Sequence, residues 1–157
     1  MSSVRRVVIG LLASVGLLFA GASAAPVANA EEPTLRTFVV QLSAENEVPT
    51  CPAGVESGAT GVAVIQINET TGEITYRVVA FNLPGTVTDA HIHPGPAGVA
   101  NPPAHGFVLT GLSTGLVAEG STINRELAAA ILANPQNYYV NVHTTECPTG
   151  TIRGQLG

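Results

Sequence analysis

The chain has 157 residues, six of them arginine and eleven acidic, with no lysine and no tryptophan, for a formal net charge of −5. An acidic surface of this kind repels nucleic acid and anionic lipid, which argues against both as partners. The low charged content and the abundance of Thr, Val, Gly and Pro point to short strands joined by tight turns.

Residues 1–30 read as an export signal. Arg5 and Arg6 supply a positive start, Val7 to Ala20 an apolar run of signal length, and Ala28-Asn29-Ala30 small residues for cleavage after Ala30. Ala22-Ser23-Ala24 is a second cleavage candidate, and the Arg-Arg pair, followed by Val-Val-Ile, matches a twin-arginine signal imperfectly, which leaves the export route open. The Gly, Ala and Ser in Val7 to Ala25 weigh against an uncleaved membrane anchor. Residues 31–157 suffice for one domain with a real core and are too few for two. They carry four arginines against eleven acidic residues, a formal charge of −7, and no second stretch able to span a membrane. The expected location is therefore secreted or cell envelope.

From Leu35 to Ala44, Phe38, Val40 and Leu42 alternate as a first strand, which runs into Glu45-Asn46-Glu47 and Val48-Pro49. Residues 61–68 and 73–83 are β-branched runs around the turn Glu69-Thr70-Thr71-Gly72, a hairpin in which Ile74, Tyr76, Val78 and Ala80 share a face. After Pro84-Gly85 come a strand at 87–93, an irregular Pro/Gly loop and a strand at 106–112. Over residues 124–133 the period changes: Ile123, Leu127 and Ile131 recur every four, predicting one short helix that Asn134-Pro135 ends. Residues 138–144 and 151–156 close the chain as a hairpin across Pro148-Thr149-Gly150. About seven short strands with closely spaced turns predict an all-β, immunoglobulin-like or related Greek-key sandwich or barrel with one short helix.

The two cysteines, Cys51 and Cys147, each precede a proline in a turn-like context and allow one intramolecular pairing. In an oxidising compartment a structural disulfide is expected, since no CxxC spacing supports a redox or metal role.

All four histidines lie between residues 91 and 143. In Asp-Ala-His-Ile-His, strand alternation sends Asp89, His91 and His93 to one side and Ala90 and Ile92 to the other. In Tyr138 to Thr144, Val140 and Val142 belong with Tyr138 to a core face, so His143 points outward beside Tyr139 and Asn141. If these strands are neighbours, His91, His93 and His143 meet on one patch with room for copper or zinc, and His105 is a possible fourth ligand. Such a site requires nitrogens roughly 3 to 4 Å apart and, with neutral imidazole as ligand, weakens below about pH 6.5. The competing structural role is that the histidines hydrogen-bond the Pro/Gly loop and hold it in place.

No catalytic residues are assigned. There is no Gly-X-Ser-X-Gly elbow, no phosphate-cradling glycine loop and no zinc-finger spacing. Glu45 and Glu47 are close enough for glycoside chemistry, but without an accompanying tryptophan they read as a solvated turn.

Four strings carry a family resemblance: Leu-Ser-Ala-Glu-Asn-Glu-Val-Pro at 42–49, Ala-His-Ile-His-Pro-Gly-Pro-Ala-Gly at 90–98, Tyr-Val-Asn-Val-His-Thr at 139–144 and Ile-Arg-Gly-Gln-Leu at 152–156. Together they resemble the CHRD domain, named after chordin. The resemblance implies an immunoglobulin-like β-barrel with limited similarity to copper/zinc superoxide dismutase, and an exported binding or structural module for an unknown extracellular or envelope ligand. His91, His93 and His143 match the family's histidine motifs; His105 and the cysteines fall outside them. A copper-dependent, dismutase-like redox enzyme is the alternative. It needs a bridging histidine, for which only His105 is available, and an arginine to guide the anion, for which Arg153 is the one near a motif.

Overall fold

The structure is a computed structural model that describes residues 34–52 and 58–157, so the expected export signal lies outside the described residues. The N-terminal half is a meander of β1 (Leu35–Ser43), β2 (Thr60–Asn68) and β3 (Glu73–Phe81), each strand antiparallel to the next. Alternation does here what the sequence predicts: Ile74, Tyr76, Val78 and Ala80 all turn inward and are buried. Gly72 completes the β2–β3 turn at φ +73°, where a side chain would also run into Arg125.

The rest of the chain supplies β4 (Val87–Pro94), the two-residue β5 (His105–Gly106), β6 (Gly115–Ile123), α1 (Arg125–Ala133), β7 (Tyr138–Thr144) and β8 (Ile152–Gln155). All eight strands form one antiparallel sheet in the order β5-β4-β7-β8-β1-β2-β3-β6. Ser43 opposite Arg153 is the one paired position joining β1 to β8, so the sheet folds there into two halves. The chain leaving β5 then reaches the opposite edge strand: Leu109 bridges to Ala118, and the Thr110 N–H donates to the Val117 carbonyl. The result is the all-β sandwich-or-barrel class, with one short helix.

Both halves share one core. Ile65, Ile67 and Val78 from the meander meet Ile92, Val140, Val142 and Ile152 from the other half, and Leu127 and Ile131 from α1. Burying an aliphatic side chain of this size contributes about 1.5–3 kcal/mol, enough to fix which way each strand faces. Because Ala90 and Ile92 on β4 and Val140 and Val142 on β7 are drawn inward, their polar neighbours are turned to the outer face.

Two expectations need correction. Of the predicted strand over 106–112 only Gly106, the second residue of β5, and an isolated bridge at Leu109 are paired, while β6 lies outside the expected strands. The register slips between Val78 and Val79, so consecutive Val117 and Ala118 are both buried, and this bulge erases the alternation that would mark a strand. Ile123 ends β6 and is exposed rather than opening the helical stripe. The helix begins at Arg125, with the Asn124 side chain accepting from the Leu127 N–H at 3.0 Å.

Cys51 and Cys147 form a disulfide that ties the loop after β1 to the loop between β7 and β8.

Candidate metal centre

β4 and β7 pair with Asp89 opposite His143, His91 opposite Asn141, and His93 opposite Tyr139. Directly opposite residues share a face, so the three histidines gather on the outer surface of this pair. Their rings are 5.0 Å apart for His91 and His143, 5.3 Å for His91 and His93, and 5.9 Å for His93 and His143. One ring nitrogen from each lies within 4.8 Å of one from the others. That is wider than the 3 to 4 Å expected from the sequence, and ligation at about 2.1 Å would draw the rings inward by roughly 1 Å.

Hydrogen bonds to the main chain set which nitrogen of His93 and of His143 is free. His93 Nδ1 donates to the Asn101 carbonyl at 2.7 Å and His143 Nδ1 donates to the Pro148 carbonyl at 3.1 Å, because a carbonyl can only accept. Both rings therefore carry their lone pair on Nε2. His91 turns Nε2 toward the Asp89 carboxylate, 3.8 Å away, which leaves Nδ1 bare. His91 Nδ1, His93 Nε2 and His143 Nε2 are all buried and have no hydrogen-bond partner. A buried acceptor without a donor costs about 1–3 kcal/mol, and here three occur together.

The protonation states agree with this. Burial lowers His93 to about 4, the Asn101 hydrogen bond opposing the fall and His91, His143 and Arg153 adding to it. Burial also lowers His91, helped by His143 and His105 and resisted by Asp89, and it lowers His143 against Pro148 and Asp89. The rings are thus neutral donors rather than imidazolium ions. His93 and His143, each donating one N–H to a carbonyl and offering its other nitrogen, have the usual form of a metal-ligating histidine.

His105 is not brought to this set. It pairs with inward-facing Ile92, and its ring lies 6.1 Å from both Tyr76 and Phe107, with burial lowering its pKa.

Behind His93 stands an ordered stack. The Tyr139 ring lies 4.8 Å from His93 at an interplanar angle of 7°, and the Arg153 guanidinium carbon sits 3.4 Å from the centre of the Tyr139 ring. Arg153 is 1% exposed, and it donates to the carbonyls of Val99 and Pro96 and to Gln155 Oε1. With its donors so engaged it is not poised to steer an anion. Tyr139 is fixed in turn by the Asn101 N–H, which donates to its hydroxyl at 3.2 Å.

Glu47 corrects another expectation: Glu45 is exposed as a solvated turn requires, whereas Glu47 is 3% exposed. Its carboxylate accepts from Asn141 Nδ2 at 3.1 Å and faces Gly150, where any side chain would collide with both Glu47 and Asn141. Burial raises its pKa to about 7, against the pull of Arg153 and of hydrogen bonds from Asn141 and Val48. Nothing in the spacing of Glu45 and Glu47 announces this burial, and the Asn101 and Pro148 carbonyls, being main chain, leave no sequence signal.

The fold and this patch define an all-β domain whose outer face carries three neutral, convergent histidines. The chain matches the CHRD domain over residues 38–156 and belongs to that family. No curated protein and no solved structure matches it significantly. Among the described residues, no helix is long and apolar enough to cross a membrane.

Proposed function

We propose that this protein is an exported CHRD-domain module that binds one copper or zinc ion through His91, His93 and His143. The observation that carries this is the trio of buried, partnerless nitrogens His91 Nδ1, His93 Nε2 and His143 Nε2. Loop-holding hydrogen bonds account for His93 Nδ1 and His143 Nδ1 and leave those three atoms unexplained. A metal ion there would act as a Lewis acid or, as copper, a one-electron centre. Binding is preferred over dismutase-like turnover because Arg153 is spent on Val99, Pro96 and Gln155. Export, with the signal at residues 1–30, is supported by the Cys51–Cys147 disulfide and by the family, and places the protein in the envelope or outside the cell.

Titration calorimetry of the metal-free protein with copper and with zinc tests the site. One ion per chain is expected; a wild-type protein that ignores both metals would return the histidines to a loop-holding role.

A further inference from the structure

Resting on that metal site, we propose that Arg153 is a positioning residue which, acting through Tyr139 and His93, makes the centre prefer cuprous copper over divalent ions.

The charge is fixed in place. Two main-chain carbonyls and Gln155 grip the guanidinium, and its flat face lies on Tyr139, so it cannot swing into solvent. Tyr139 in turn lies parallel to His93, whose unpartnered Nε2 is aimed into the site. From the two stacking distances, the cation sits roughly 8 Å behind the His93 ring, in a stack whose three side chains are all buried. Three neutral imidazoles bring no negative charge to offset it.

A divalent ion meets this repulsion twice over and a monovalent one once. At an effective dielectric constant near 20, one extra charge at that distance changes the relative affinity by about tenfold or more. Two carboxylates work against the effect. Asp89 lies beside His91 but is exposed and screened, and Glu47 faces Arg153 across Asn141. Imidazole by itself accepts copper and zinc alike, so the bias must come from this charge rather than from donor type.

The test is to measure cuprous and cupric affinities of the full protein by chelator competition, and the copper reduction potential, for wild type, Arg153→Met and Arg153→Lys. Arg153→Met should lower the cuprous-to-cupric affinity ratio about tenfold, a fall of ~60 mV for a one-electron couple, while Arg153→Lys should retain it. Glu47→Gln provides a second variant of opposite sign. At about pH 8, where Glu47 is ionised in the wild type, removing its charge should raise the ratio. If wild type binds copper and both Arg153→Met and Glu47→Gln leave the ratio unmoved, the inference is overturned while the metal site stands. If wild type binds no copper, the site itself fails and this inference with it.

Discussion

Replacing Glu47 with glutamine isolates one buried proton. Burial holds Glu47 near pKa 7, above the 4.5 of an ordinary glutamate. Below about pH 4.5 the carboxyl is neutral in both the folded and the unfolded chain, and its burial costs nothing in protons. Between there and about pH 7 the unfolded chain ionises while the folded one keeps its proton, so the stability this group contributes is lost as pH rises. At about 1.36 kcal/mol per pKa unit, the whole loss is about 3 kcal/mol, complete just above pH 7. Glutamine keeps an oxygen for Asn141 Nδ2 and does not titrate, so Glu47→Gln should lack the decline.

The histidines complicate the wild-type curve in the opposite sense. Their lowered pKa values mean that the unfolded chain binds more protons than the folded one below about pH 6.5, so their contribution is lost as pH falls. They are common to both proteins, and the difference between variant and wild type removes them. Urea unfolding of the metal-free proteins followed by circular dichroism, from about pH 4.5 to about pH 8, should show the variant gaining up to about 3 kcal/mol relative to wild type across the window. Any constant offset reflects the new amide in its pocket. Parallel curves would refute the burial of an ionisable Glu47.

Other outcomes follow from the same geometry. His91→Ala, His93→Ala or His143→Ala should each abolish stoichiometric metal binding in calorimetry, whereas His105→Ala should leave it intact. Because burial lowers the pKa of all three rings, the loss of binding should be centred below pH 6.5, where the first of them protonates; chelator competition showing a loss centred at pH 6.5 would contradict this. Intact-mass measurement should show a gain of about 2 Da on reduction, and a Cys51→Ser, Cys147→Ser double variant should lose about 4 kcal/mol in chemical denaturation, as expected when a bond across 96 residues is removed.

The sequence made some parts of this molecule legible and hid others, for physical reasons. Alternation is a direct record of a two-sided strand, which is why the faces of β3, β4 and β7 follow from the residues alone, whereas the grouping of His91, His93 and His143 also needs the pairing of β4 with β7, which periodicity does not record. β6 escaped because its bulge buries Val117 and Ala118 in succession. His105 looked like a fourth ligand only because proximity along the chain says nothing about which face of a short edge strand a ring occupies. Its partner Ile92 settles that by facing the core. Glu47 reads in the sequence as part of a solvated turn and Arg153 as the one arginine near a motif that could guide an anion, because their burial is created by loops distant in sequence, from 95–101 and 146–150.

The four strings that carry the family resemblance turn out to be parts of one assembly. Arg153, from the last string, donates to the carbonyl of Pro96 in the second and lies on the ring of Tyr139 in the third. Tyr139 stacks on His93, and two residues along its strand Asn141 holds Glu47, which belongs to the first string. Each contact involves a group that is costly to bury alone: a guanidinium, a carboxyl, an amide, an imidazole. A buried charge or polar group left without its partner costs several times what a surface contact contributes, so no one of these residues is well placed without the others. The three histidine nitrogens are left without a partner, as are Glu47 Oε1 and Asn141 Oδ1, and the hydrogen bonds of His93 Nδ1 and His143 Nδ1 to main-chain carbonyls are what hold those two rings with Nε2 free beside His91.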